Sequence, residues 1–270
     1  EAGAVNMADG LARVSGGLGV AFTSTGTAAG NAAGAMVEAL TAGTALLHVT
    51  GQIETEYLDK DLAYIHEAPD QLSMLQSISK AAYRVRSVET ALPTIREAVR
   101  VAQTAPSGPV SVEIPIDIQA AEIEWPADLA APHITTLTHC SQRVARLADQ
   151  LANAKRPLLW LGGGARHAAK AVERLVALGF GVVTSVQGRG VVPEDHPATL
   201  GAFNVHPAVE SFYKTCDALV VVGSRLRGNE TLKYKLALPQ PLYRIDADAL
   251  ADNRGYRNEM FVHGDASAVL

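Results

Sequence analysis

Only two cysteines, Cys140 and Cys216, occur in 270 residues. They form no CxxC pair and no metal-ligand spacing, so they read as reduced thiols and not as a disulfide framework. Aromatic residues make up 5% of the chain. That leaves Ala, Val, Leu and Gly to fill the interior and favours helices packed closely on sheets. Basic clusters are missing and the formal net charge is −5, which argues against a nucleic-acid partner. No apolar run reaches bilayer length and no signal-peptide pattern opens the chain, so the expectation is a cytoplasmic protein without a membrane partner. An initiator Met is also lacking, and Gly264-Asp-Ala-Ser-Ala-Val-Leu270 reads as a helix just starting. The expectation is therefore a piece of a longer polypeptide.

What is present fits a folded α/β protein. Apolar content of 48% and charged content of 19% supply ample core for one large or two ordinary domains. In the opening stretch Ala4, Ala8, Leu11 and Ala12 fall on one helical face, and Ser15-Gly16-Gly17 stops the helix. Gly19 to Phe22 reads as a short buried strand, and a small-residue loop, Ser24 to Ala28, leads into a helix from Ala28 to Leu40. Such a strand–loop–helix unit brings backbone close to a ligand. Ala45 to Thr50 is the next strand, the periodicity fades from Gln52 to Leu75, a helix carries Leu92, Ile95, Ala98, Val99 and Ala102, and Val110 to Ile114 is again a strand. This alternation predicts a doubly wound parallel sheet.

Between Ile118 and Thr138 no period survives. Residues 1–120 are thus expected to form one domain, 121–138 a linker and 139–270 a second α/β domain. In the second, Ser141 can cap a helix bearing Val144, Leu147, Ala148 and Leu151. Strand Pro157–Leu161, Gly162-Gly163-Gly164, helix His167–Leu178, strand Gly181–Ser185 and further strands at 218–222, 242–245 and 260–262 follow.

The run Glu1-Ala-Gly-Ala-Val-Asn-Met-Ala-Asp-Gly-Leu-Ala-Arg13, a glycine pair, a strand, Thr25-Gly26 with Asn31, and Thr50-Gly51-Gln52 resemble the pyrimidine-binding domain of thiamine diphosphate enzymes, in the acetolactate synthase and oxalyl-CoA decarboxylase branch. Lys80 to Val85, Gly108 to Asp117, Gly188-Arg-Gly190, Pro193 to Pro197 and Val222-Gly-Ser-Arg225 extend the resemblance in the family's order. It implies two doubly wound parallel-sheet domains: a partial pyrimidine-binding domain, incomplete at its N-terminus, and a central nucleotide-binding-like domain. The family's diphosphate domain, with its G-D-G motif and Mg²⁺-ligating asparagines, is not in this sequence; Gly264-Asp265 is followed by Ala. No metal ligand is therefore expected here, and Mg²⁺ would enter through the missing domain.

By this resemblance Glu1 is the catalytic carboxylate. It would hydrogen-bond the pyrimidine nitrogen, stabilise the imino tautomer and so allow the thiazolium C2 proton to leave, a role that calls for a buried carboxyl of raised pKa. Glu1, Thr25, Gly26, Thr27 and Asn31 would contact the cofactor, although Thr27 and Ala28 replace the proline and glycine usual in that loop. Gln52 would face the substrate, with a strand-end cap or turn as its plain alternative. His66 would be an acid/base group or simply a solvated loop histidine; it stands where acetolactate synthases carry other residues.

Gly162, Gly163 and Gly164 look like a dinucleotide turn, with Ser224, Arg225 and Asp246 as companions for a nucleotide. FAD would sit there in acetolactate synthases. Gly201-Ala-Phe-Asn204 departs from the FAD binders, so a vestigial empty site is the favoured expectation. The functional expectation is a thiamine diphosphate-dependent 2-keto-acid decarboxylase or carboligase, acetolactate synthase-like, in which a C2 carbanion on the cofactor attacks a 2-keto acid or acyl-CoA substrate. Because the family's site is shared between subunits, a homodimer or tetramer is implied. The alternatives are a nucleotide (FAD or ADP)-binding module and a non-catalytic relative.

Overall fold

Small residues let the first helix of this chain lie against its first strand. The computed structural model describes residues 1–270, which divide into two units, Glu1–Thr135 and Thr136–Leu270. Helix α1 (Ala2–Ser15) ends at Gly16, whose N–H returns to the Ala12 carbonyl. Its buried face is Val5, Ala8, Asp9 and Ala12. This corrects the expected face, since Ala4 and Leu11 point outward. Asp9 is tolerated inside because Arg13, one turn on, pairs with it at 2.7 Å.

The first unit is built on four parallel strands, β1 (Gly19–Thr23), β2 (Leu46–Gln52), β3 (Ala81–Arg84) and β4 (Pro109–Pro115), in the order β1-β2-β4-β3. Helices α2 (Thr27–Ala42), α3 (Gln71–Ile78), α4 (Val88–Gln103) and the single turn α5 (Ile116–Gln119) connect and follow them. Val5, Ala32, Ala35, Met36, Leu46 and Leu75 form one apolar layer. Leu47, Ala98, Ala102, Val110 and Val112 form another. Strand β2 contributes to both layers, Leu46 to one and Leu47 to the other, as a sheet covered on both faces requires.

Four elements lay outside the sequence expectation: β3, α3, the single turn α5 and, in the second unit, the helix Pro207–Tyr213. Strand β3 consists of half-buried residues at a sheet edge and is only four residues long. Helix α3 falls partly within the stretch where periodicity faded, because its first residue, Gln71, turns a polar side chain fully inward. Residues 53–70 carry neither helix nor strand.

The second unit repeats the architecture with five parallel strands. They are β5 (Pro157–Leu161), β6 (Gly181–Thr184), β7 (Ala218–Val222), β8 (Leu242–Asp246) and β9 (Met260–His263), ordered β6-β5-β7-β8-β9. Helices α6 (Ser141–Leu151), α7 (Ala169–Ala177), α8 (Pro207–Tyr213) and α9 (Ala266–Val269) accompany them. All of β5 and β7 is buried, Trp160 and Val221 included. The N-cap of α6 is Cys140, not Ser141, and no side chain caps it. Residues 163–168 form a 3₁₀ segment, so the helix expected from His167 begins at Ala169. Both cysteines are free thiols. No helix is long and apolar enough to cross a membrane.

Candidate functional site

In an open parallel sheet, ligands gather beyond the carboxyl ends of the strands. In the first unit those ends carry the Gly26 turn after β1, Gln52 at the end of β2, and Arg84 and Glu113 near the ends of β3 and β4. Glu1 sits at the N-cap of α1. Asn31, in the second turn of α2, donates Nδ2 to Glu1 Oε2 at 3.4 Å, a long bond. Both side chains are exposed. The buried carboxyl expected of Glu1 is therefore not formed by this chain alone: the residue stands at the outer end of its helix, and the elements present leave it open to solvent.

The turn itself is tightly held. Gly26 takes φ 56° and caps α2. A Cβ there would lie 1.9 Å from the carbonyl oxygen of His66, so only glycine fits. Thr25 is buried, with its Oγ1 close against Gly51, while Thr27 is exposed and its Oγ1 lies 3.2 Å from His66 Nδ1. The fold thus brings His66, exposed and itself at φ 63°, onto the turn. Residues 53–70 also hold Asp59, Asp61 and Ala63 at positive φ, a concentration of backbone strain of the kind found around binding sites. Tyr57 and Tyr64 stack within this segment, 5.1 Å between ring centres.

Gln52 is almost fully buried and its amide is engaged internally. Its Oε1 accepts from Ile53 N–H at 2.8 Å and its Nε2 donates to Glu113 Oε2 at 3.3 Å. Glu113, completely buried on β4, is the centre of a cluster that the sequence reading missed. Gln71 Nε2 donates to the same oxygen at 2.9 Å, and Arg84 Nε bonds and pairs with Oε1. Arg84 reaches on to Asp59 at 3.3 Å. The signal was legible: a glutamate inside the apolar strand Val-Ser-Val-Glu-Ile demands buried partners. A second buried cluster lies deeper. His48 is flanked by Thr23 Oγ1 at 2.9 Å and Ser111 Oγ at 3.1 Å, and burial lowers its pKa to about 4, keeping it neutral.

In the second unit, Gly162, Gly163 and Gly164 follow β5 at the switch in strand order between β5 and β7. The Gly162 N–H is spent on Val222 O at 2.8 Å and the Gly164 N–H on Gly223 O at 3.1 Å. A Cβ on Gly162 would lie 2.1 Å from Gly223 O. These glycines therefore serve backbone-on-backbone packing, and a 3₁₀ segment stands where a phosphate-binding loop would open an α-helix. Ser224 is buried and its Oγ accepts from Leu226 N–H at 3.3 Å; Arg225 is exposed. Asp246 accepts from Asp248 N–H at 2.9 Å, and burial raises its pKa. No group of three or more His, Cys, Asp or Glu residues is placed to hold a metal ion.

The N-terminal TPP binding domain of thiamine pyrophosphate enzymes matches residues 1–74, and the central domain of the same enzymes matches residues 144–270. Together the two cover most of the chain. The chain belongs to the thiamine pyrophosphate enzymes. It is 34% identical over its whole length to a probable 2-ketoarginine decarboxylase of Pseudomonas aeruginosa, covering 49% of that protein. It is 30% identical, again over its whole length, to the acetolactate synthase isozyme 2 large subunit of Escherichia coli, covering 50% of it. The X-ray structure of a thiamin diphosphate-dependent enzyme candidate from Mycobacterium smegmatis superposes with a TM-score of 0.83 at 28% identity, over 99% of this chain and 52% of that one. The chain spans about half the length of the curated relatives it matches.

Proposed function

We propose that this chain forms the pyrimidine-side part of the active site of a thiamine diphosphate-dependent 2-keto-acid decarboxylase or carboligase. The observation that carries the proposal is the position of Glu1, at the head of α1 and within reach of Asn31, which lies just over one turn into the helix that Gly26 caps. The donor set fits a heteroaromatic ring. A carboxyl group can exchange a proton with a ring nitrogen, Thr25 and Gly26 shape the turn that leaves Thr27 exposed for contact, and Asn31 holds the carboxylate oxygen. When bound, thiamine diphosphate supplies the nucleophilic carbon and the electron sink for decarboxylation. Glu1 then has one task, to hold and return a proton at that nitrogen. His66, joined to Thr27, is the acid/base candidate on the substrate side.

In this reading, residues 1–120 make the pyrimidine domain, 121–138 the linker and 139–270 the central domain. The diphosphate and Mg²⁺ are held by a further domain of the full polypeptide. Covering Glu1 falls to that domain from a second subunit. The exposed apolar stripe Met7, Leu11 and Val14 on α1, 77%, 62% and 90% exposed, supports a homodimer or larger assembly. The closed packing of Gly162 and Gly164 on Gly223 supports a central domain that binds no FAD. The substrate is a small 2-keto acid or an acyl-CoA, the compartment is the cytoplasm, and neither nucleic acid nor membrane is a partner.

The test is Glu1→Gln in the full-length protein. Glutamine keeps the shape but cannot give up a proton, so exchange of the cofactor's reactive-carbon proton, followed by NMR in deuterated water, should slow at least about a hundredfold. Exchange at the wild-type rate would remove Glu1 from the reaction.

A further inference from the structure

One buried amide ties the Gly26 turn to the charged cluster behind it. Gln71 is fully buried at the first position of α3, a helix started by the Asp70 side chain accepting from Ser73 N–H. Its Oε1 accepts the Gly26 N–H at 2.8 Å. Its Nε2 donates to Gly51 O and to Glu113 Oε2, both at 2.9 Å. The orientation of the amide is thereby fixed. An ionised Glu113, held by Arg84, accepts only, so it must face the NH₂ side, and this aims the oxygen at Gly26. As the N-cap of α2, Gly26 has an N–H that no helix bond can satisfy.

We infer that Gln71 is a positioning residue: through Glu113 and Arg84 it sets the Gly26 turn, and with it the start of α2 that carries Thr27 and Asn31, in the shape that receives the cofactor's pyrimidine. The inference rests on the thiamine diphosphate reading above. It assigns Gln71 no contact with the cofactor. Gln52 donates to the same Glu113 oxygen, so the turn and the end of β2 share one anchor. A glutamine whose two N–H donors go to strand β2 and a buried carboxylate, while its oxygen holds the Gly26 turn, has little slack, and a shorter side chain cannot span all three.

The experiment uses the full-length protein and two variants, Gln71→Ala and Gln71→Asn. Deuterium uptake of the cofactor-free protein is read by mass spectrometry over residues 22–31, and thiamine diphosphate binding is titrated separately with Mg²⁺ present. Both variants should exchange the Gly26 region at least about tenfold faster and bind the cofactor about tenfold more weakly, the loss of one buried hydrogen bond. The unfolding midpoint reports general damage, and Leu75→Val, in the same helix and core, is the control that lowers the midpoint without loosening the turn. Unchanged uptake over residues 22–31 in both variants overturns the inference. So does faster uptake with wild-type cofactor affinity, or an equal effect from Leu75→Val. If the wild-type protein binds no thiamine diphosphate while Gln71→Ala still loosens the turn, the cofactor reading fails and the anchoring of the turn by Gln71 stands.

Discussion

Each unit carries an arginine in its sheet, Arg84 half-buried and Arg244 fully buried, and the two are treated in opposite ways. Arg84, at the end of β3, meets a buried carboxylate, Glu113, whose other oxygen accepts from Gln52 and Gln71. Arg244, in the middle of β8, is fully buried and bonds only to backbone: Nη1 donates to Ala251 O and, at 3.0 Å, to Arg254 O. Its Nε and Nη2 are buried without partners, and burial lowers its pKa. The strand ends differ in the same sense. The first unit places a connected polar cluster beneath a strained turn, whereas the second closes its strand ends by packing glycine on glycine. A polar network beneath a turn fixes that turn's geometry, whereas glycine packed on glycine needs no side-chain partners.

The largest effect should come from breaking that contrast directly. Arg84→Met leaves Glu113 charged and uncompensated in the interior and should cost about 3 kcal/mol. Arg244→Met replaces a poorly satisfied cation with an apolar chain of similar length and should change stability by less than about 1 kcal/mol. Urea unfolding of both variants measures the difference, and equal losses would dissolve the distinction between the units. Next, Gly162→Ala forces a Cβ against the Gly223 carbonyl and should cost about 2–3 kcal/mol, read as a lowered unfolding midpoint. A neutral outcome would mean that the end of β5 can open, and would reinstate it as a nucleotide site.

A further effect is a pH dependence peculiar to the first unit, which holds the only fully buried histidine. The pKa of His48 falls from 6.5 to about 4 on folding. The unfolded chain therefore binds the proton first as pH drops. The stabilisation is complete above pH 6.5 and is lost as pH falls towards 4, by about 2 kcal/mol between pH 7 and pH 5. In His48→Gln that slope should vanish, and stability measured at the two pH values shows whether it does.

Much of this was legible before any coordinates. The strands at 19–22, 45–50, 110–114, 157–161 and 218–222 stand out as short apolar runs between glycines and prolines, and Gly16 ends α1 as its sequence suggests. The hydrophobic pattern failed where the inward face is polar. Gln71 hid α3, and Asp9 displaced Leu11 from the buried side of α1, since a paired or bonded polar group leaves no apolar period to read. Among the proposed site residues, Glu1 and Asn31 meet across two helices, and His66 reaches Thr27 from 39 positions away. The glycines at 162–164 have the spacing of a dinucleotide turn, but spacing says nothing of Gly223, which occupies the same space.

The linear chain by itself determined the alternation of strand and helix, the parallel sheets and the family, because these follow from periodicity and from residue types at fixed intervals. Only the tertiary structure decided that Glu113 gathers Gln52, Gln71 and Arg84, and that Gly26 is held by an amide from another helix. Hydrogen bonds between residues dozens of positions apart depend on strand order and register, which no local pattern encodes.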